Sequence, residues 1–458
     1  MSQNRRLIAL VPILLAAFWL RIHNLDQPEL NIDESWSFLH SYFIAFPSEY
    51  PLAQILAFEP NNDLHLIAAS GFIRAVPNAI GLRSFSVFLS MLTVALTARA
   101  AARLFGRLAV LPAGLLVAVA YAPVTFAQIG RPYALSVLLA LLSVITWLEG
   151  KWRLNLLVSA FVPLAHVGAM PVVMAQDFVT VWRIRRGKGV NVPGWLVNRI
   201  SVYSILAVLL AAVHLRRVLG KVMSAGQSPP TLVDILRHWL DLLVGDSTPL
   251  IVVLFLAGVI VPTSAALLKT RRTRRALPEN AVFPLTWIAC TYAVMLLMAV
   301  VSDGPIKWVH ISHVAVALVL LLAWLLTQIK LGMGIVVLLA FCALSLTGIA
   351  RYYAQPDKTA TTAALAVAAL RQDGEVVYVD QGTVLWWLQL NVPDASYLVE
   401  LSPNQLPERY LLLQWQGFLP PPTPGCTPTS NRWNGFLLLE CVWYEREPSN
   451  RSVNAARE

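Results

Sequence analysis

The sequence predicts an all-α polytopic membrane domain of about eleven transmembrane helices, followed by a small soluble α/β domain. Three observations carry this expectation. Only 13% of the 458 residues are charged and 57% are hydrophobic, against about 25% charged in soluble chains. Apolar runs close to the ~20 residues needed to cross a bilayer recur as far as residue 349. After that the composition turns polar and proline-rich, so residues 1–350 are expected to form the membrane domain and residues 351–458 a separate soluble one. The formal charge of +10 does not point to nucleic acid, because the basic residues sit in short loops between apolar runs, where the rules of membrane orientation account for them.

Taken in order, a basic head at residues 1–6 precedes the first apolar run, 7–20. That run continues into Trp19-Leu20-Arg21 without a small-x-small cleavage site, which predicts a retained helix with its basic end in the cytoplasm. Residues 21–82 then fall outside; they are amphipathic and broken by Pro28, Pro47, Pro51, Pro60 and Pro77, and short helices along the outer surface are expected. Residues 85–102 return inward to a basic end at Arg103 and Arg107, residues 108–126 go out as one span, and a tight turn, Gln128-Ile129-Gly130-Arg131-Pro132-Tyr133, leads into the inward run 134–148. Residues 154–165 and 167–182 are expected as two short segments meeting near His166, with a single long kinked span as the alternative.

Further runs follow at 196–215, 250–268, 282–301, 309–326 and 332–349, and the basic stretch 269–275 is the strongest cytoplasmic marker. In the tail, residues 375–380, 410–415 and 436–443 look like strands; α/β and α+β both remain open. An odd number of spans places the tail outside the cell.

The stretch Leu30-Asn31-Ile32-Asp33-Glu34-Ser35-Trp36 puts two carboxylates at the start of the outer loop, where a chain built for lipid keeps charge only for a purpose. The Asp33-Glu34 pair resembles the acidic motif of the integral-membrane glycosyltransferases of the C superfold (GT-C), a group that includes bacterial mannosyltransferase-like and aminoarabinose-transferase-like enzymes. Residues 82–106 are similar to that family's second span with its basic end, and Gln128 to Leu135 to its Arg-x-Tyr-Ala-Leu turn. The resemblance covers roughly residues 7–350. It departs at Glu59-Pro60-Asn61-Asn62-Asp63-Leu64-His65, where relatives often carry a Pro-Pro or His-Pro pair, and at Lys307-Trp308, where they often carry Arg-Tyr. The resemblance implies a plasma (inner) membrane glycosyltransferase, hexosyl- or pentosyltransferase in type. It would take its sugar from a polyprenyl phosphate and pass it to a glycan, lipid or protein acceptor on the extracytoplasmic face.

The chemistry also follows from residue types. Transfer from a lipid-phosphate sugar needs a base for the acceptor hydroxyl and cations for the departing phosphate. Asp33 is the candidate base, with Glu34 beside it as acceptor or metal ligand. Arg131, Tyr133, Lys307, His310 and His313 are the candidates on the phosphate side, since Arg meets phosphate bidentately and Lys as a point charge. Glu59, Asn62, Asp63, His65 and His166 are candidates for the acceptor or for a divalent metal ion, the one cofactor this residue set leaves open. Each has a plainer reading: the acidic pair as cap of a helix beginning at Ser35, Arg131 and Lys307 as lipid anchors, His166 as a packed histidine.

Cys290 and Cys342 sit in apolar runs as small core residues, whereas Cys426 and Cys441 share the tail and are expected to form a disulfide there. No Gly-rich nucleotide loop follows a strand, which favours a lipid-linked donor. The competing classes are a lipid-linked oligosaccharide ligase or flippase, which would use a similar outer face, and a transporter, which would show midplane acids and repeat symmetry between halves.

Overall fold

The computed structural model describes residues 3–46, 52, 63–220, 232–245, 279–301, 311–354, 359–370, 376–379, 387–389, 391–392, 398–400, 409–415, 426–433 and 436–442. The chain divides into two compact units, residues 1–27 with 37–355, and residues 28–36 with 356–458.

In the first unit, α1 (Gln3–Ile22) packs on α4 (Ala79–Phe105) and α5 (Val110–Val119), preceded in the chain by α2 (Ile32–Ala45) and α3 (Asp63–Ala75). Helix α4 has both ends written in sequence. Asn78 accepts hydrogen bonds from the Ile80 and Gly81 amides, and Gly106 closes the helix at φ 82°, a left-handed value that suits glycine. Buried along α4 run Arg83, Ser86, Ser90, Thr93 and Thr97, spaced three or four residues apart and so a polar stripe on one helix face.

The run expected as one span, 108–126, is broken. Helix α5 stops at Ala120 and α6 (Tyr121–Thr125) continues through a bend of 58°. Pro123 is the physical reason: it has no amide to donate, and in a continuous helix its ring would strike the carbonyl four residues back, at Val119. The carbonyls exposed near the break are met by Arg21, which is fully buried. Its Nη2 donates to Val117 O at 3.2 Å and its Nη1 to Ala118 O at 2.9 Å and Ala17 O at 3.0 Å, while Nε donates to Ser90 Oγ at 2.8 Å. Ser90 Oγ in turn donates to Pro123 O at 3.0 Å.

Helix α7 (Tyr133–Leu148) leads to α8 (Trp152–Ala165), and the chain breaks again at His166 before α9 (Pro171–Arg185), where Pro171 opens the helix. Between α7 and α8, the Glu149 carboxylate is bridged by Lys151, Arg99 and Arg103. Hydrogen bonds from Lys151 and Arg99 hold its pKa down at about 2. Helices α7 to α10 (Val192–Gly220) share a polar seam. Ser143 bonds Ser159 at 2.8 Å, Gln176 Nε2 donates to Ser143 Oγ at 2.8 Å, and Arg199 pairs with Asp177 and donates to Gln176 Oε1 at 2.9 Å. Such bonds replace the hydrophobic drive that helices lack inside lipid.

Among the described residues, the remaining helices of this unit are α11 (Leu232–Leu243), α12 (Glu279–Val301), α13 (Val314–Leu326) and α14 (Leu331–Ala354). Gly348 of α14 admits the Val244 carbonyl so closely that a Cβ would lie 1.8 Å from it. Among the described residues, Ala79–Phe105, Asn280–Leu297 and Leu331–Ala354 are long and apolar enough to cross a membrane, and the bent pair adds a fourth if it is one span. Ile8–Ile22, Tyr133–Leu148, Trp152–Ala165, Val192–Val208 and Val314–Leu326 are shorter apolar helices, and the run 250–268 and the basic stretch 269–275 lie outside the described residues, so the figure of eleven stays an expectation.

The second unit contains α15 (Thr359–Leu370) and strands β1 (Val377–Val379), β2 (Leu398–Glu400), β3 (Arg409–Trp415), β4 (Cys426–Trp433) and β5 (Phe436–Val442) in one sheet of order β2-β1-β3-β5-β4. Strand β1 is parallel to both its neighbours, and β3, β5 and β4 run antiparallel. Residues 28–36 are tied into this unit by polar bonds. Leu30 N donates to Asn391 Oδ1 at 2.8 Å, and Leu30 O accepts from Asn391 Nδ2 at 2.9 Å and Trp387 Nε1 at 2.5 Å. The Glu29 carboxylate accepts from Thr361 N, in the first turn of α15, at 3.1 and 3.2 Å, a favourable place for an anion.

Candidate functional site

In the first unit the turn at Gly130 and Arg131 is fixed carbonyl by carbonyl. Phe126–Gln128 forms a single 3-10 turn, Ile129 O accepts from Ser86 Oγ at 2.9 Å, and Gly130 O lies 3.1 Å from His65 Nε2. A carbonyl only accepts, so Nε2 of His65 carries the proton. The ring is fully buried against Phe85, with centroids 5.5 Å apart. Burial, and then the charge of Arg131, lower its pKa to about 3. A neutral His65 therefore sits beside the Arg131 cation and holds the turn that presents it. Arg131 is half-buried, and its Nη1 donates to Ser37 Oγ of α2 at 2.8 Å. A guanidinium so held offers the planar fork of donors that can meet two oxygens of a phosphate or carboxylate.

Pro132 then starts α7, and Tyr133 lies in its first turn against Phe126, 5.3 Å away, and His166, 6.1 Å away. His166 precedes the 3-10 turn Val167–Ala169, and its Nδ1 accepts from Gly168 N at 3.0 Å, which leaves the proton of the neutral ring on Nε2. The structure thus brings Arg131, His65, Tyr133 and His166 into connected shells around one turn. Asp63 opens α3, two residues before His65. His313 is fully buried, stacked on Trp287 at 5.9 Å and 3.4 Å from Thr291 Oγ1. Lys307, His310, Glu59 and Asn62 lie outside the described residues. Among the described residues no three His, Cys, Asp or Glu side chains converge as a metal-holding group.

In the second unit the acidic motif begins α2. The helix starts at Ile32 and not at Ser35, and its amino end is capped by Asn31: Oδ1 accepts from Glu34 N at 2.9 Å, and Asn31 O accepts from Ser35 N at 2.8 Å. Asp33 and Glu34 lie in the first turn, where carboxylates complement the helix dipole. They differ in access. Glu34 is 1% exposed, whereas Asp33 is half-buried. Of the two, Asp33 is the more exposed.

Sequence reasoning passed over Ser37, Ser86 and Arg21. The signal was present for two of them, since Ser86 belongs to the periodic stripe of α4 and Arg21 is a cation at the end of an apolar run.

No protein-family model and no curated protein sequence matches the chain. Solved structures do. The apo structure of ArnT from Cupriavidus metallidurans aligns over 96% of this chain and 98% of its own, with a TM-score of 0.57 at 11% identity. The same protein bound to undecaprenyl phosphate aligns over the same shares, with a TM-score of 0.51 at 13% identity. The oligosaccharyltransferase of Archaeoglobus fulgidus, tethered to an acceptor peptide, covers 87% of this chain and 64% of its own, with a TM-score of 0.53 at 12% identity. The chain has the GT-C fold.

Proposed function

We propose that this protein is a membrane glycosyltransferase that moves a sugar from a polyprenyl-phosphate donor to a glycan, lipid or protein acceptor on the extracytoplasmic face of the plasma membrane. The observation that carries the reading is the near-complete alignment with ArnT, one structure of which holds undecaprenyl phosphate. In the reaction, Asp33 takes the proton of the acceptor hydroxyl as that oxygen attacks the anomeric carbon. The bond from that carbon to the phosphate oxygen breaks, and polyprenyl phosphate leaves with the electron pair. Arg131 meets its charge, with Lys307 as the second cation. One base suffices for inverting transfer, which leaves Glu34 a structural part in the turn below Asp33.

The test is reconstituted protein given undecaprenyl-phosphate-linked sugar, with release of undecaprenyl phosphate followed over time. Acceptor-dependent release of one sugar per lipid is expected. Arg131→Ala should raise the donor KM by about tenfold or more, the worth of a charged hydrogen bond, and leave the acceptor KM nearly unchanged. Donor that crosses the bilayer intact would point to a flippase, and transfer of a long preassembled glycan to a ligase. Either result overturns the single-sugar reading.

The C-terminal residues belong on the same outer face in this proposal, and the sheet register supports a disulfide there. Cys426 of β4 stands directly opposite Cys441 of β5. Closing the intervening loop would stabilise the tail by ~3 kcal/mol in the chain-entropy model. Peptides of the unreduced protein that contain Cys426 and Cys441 should be found linked by mass spectrometry. Two free thiols in protein purified without reductant would argue for a tail on the cytoplasmic side.

A further inference from the structure

The helix that begins at Tyr133 ends at a second recess, of about 210 Å³, between the ends of α7 and α9 and the beginnings of α8 and α10. Trp147, Trp152, Asn155, Arg183, Asn191 and Trp195 are among its lining residues, and none of the described lining residues is acidic. Its electrostatics have one sign. The Arg183 guanidinium lies 4.7 Å above the Trp147 ring, and the exposed cations Arg153, Arg185 and Lys188 lie close by in the chain. Two helices start on the rim, α8 at Trp152, without a side-chain cap bond, and α10 at Val192 after Asn191. Each turns its positive end that way. The acids nearby in the chain are already neutralised: Asp177 pairs with Arg199 and accepts from Trp195 and Tyr203, and Glu149 is bridged by Arg99, Arg103 and Lys151.

Size and depth narrow the ligand. The recess is smaller than the ~300 Å³ at which pockets for drug-sized ligands begin, so it can enclose a phosphate headgroup but not a whole nucleotide sugar. Indole side chains gather where hydrocarbon meets water, and basic recesses between membrane helices take lipid phosphates.

We propose that this recess binds the phosphodiester headgroup of an anionic membrane phospholipid, with Arg183 as the contact to the phosphate. The site is separate from the Arg131 turn, and the proposal holds whichever sugar the protein transfers.

Purified protein in neutral detergent should bind dioctanoyl phosphatidylglycerol, seen as retained lipid in native mass spectrometry and as a rise in Tm. Dioctanoyl phosphatidylcholine should bind much more weakly. Arg183→Gln should weaken phosphatidylglycerol about tenfold, as for a lost charged hydrogen bond. Arg186→Gln removes a cation that stacks on Trp182, 4.1 Å away, and Trp182 does not line the recess, so this variant should bind as the parent does. If Arg183→Gln does not fold, Trp152→Leu on the rim is the second variant, with a loss of about threefold expected. Equal binding of the two lipids, or equal losses in Arg183→Gln and Arg186→Gln, would overturn the site. Glycerol phosphate binding as tightly as the lipid would overturn the lipid as its source.

Discussion

Asp33→Asn is expected to lower turnover a hundredfold or more while leaving the donor KM within a few-fold of the parent. The magnitude is that of a lost general base, about 10²–10⁴ in rate. Asparagine keeps the size of the side chain and loses only the capacity to take a proton, so the variant isolates the chemical step. Local structure helps the test: at the start of α2 Asn31 Oδ1 accepts from the Glu34 amide, a cap bond that the substitution leaves in place. Turnover measured by release of undecaprenyl phosphate, with circular dichroism to show retained helix, decides the matter. A variant working at near the parent rate would remove Asp33 from the reaction and leave it a charge that complements the helix dipole.

The second large effect is expected on folding. Arg21→Met keeps the length of the side chain and its fit among apolar neighbours but removes every donor that meets Ala17 O, Val117 O, Ala118 O and Ser90 Oγ. Charged hydrogen bonds are worth about 1.5–3 kcal/mol each, and carbonyls left dry cost more than the bond itself was worth. A loss on the order of 3–5 kcal/mol follows, since the bonds are shared by one group and do not add in full. Thermal unfolding in detergent should show a Tm lowered by many degrees, and Arg21→Lys should recover part of it. An unchanged Tm for the methionine variant would mean that water or lipid can serve these carbonyls as well as the guanidinium does.

These two residues also mark how far the sequence could be read. The apolar runs marked most of the helices and the acidic motif marked a resemblance to the GT-C fold, because both signals are local. Asp33 and Arg131 were visible as charge where charge is costly. Arg21 was equally visible but was taken for the flank of a span, since hydropathy assigns a terminal cation to the water side and cannot foresee carbonyls released elsewhere. Those carbonyls exist because of Pro123, and its run stayed apolar enough to count as one span. Asn31 was missed as the cap because Asp33 and Ser35 are also good capping types and sequence does not say which one begins the helix. The partners of His65 and Ser37 could not be read at all, because they are backbone atoms and a residue about a hundred positions away.

The polar clamp on Leu30 has a consequence for the order in which the protein comes into being. Asn391 is 361 residues further along than the backbone it holds. At a ribosome adding about 5–20 residues per second, Leu30 waits tens of seconds for Trp387 and Asn391 to be made. During that time the helices already in the bilayer can pack, while the segment leading into Asp33 lacks the contacts seen in the finished chain. The backbone that leads into the acidic turn thus takes its final hydrogen bonds only after residues more than 350 positions further on have been translated.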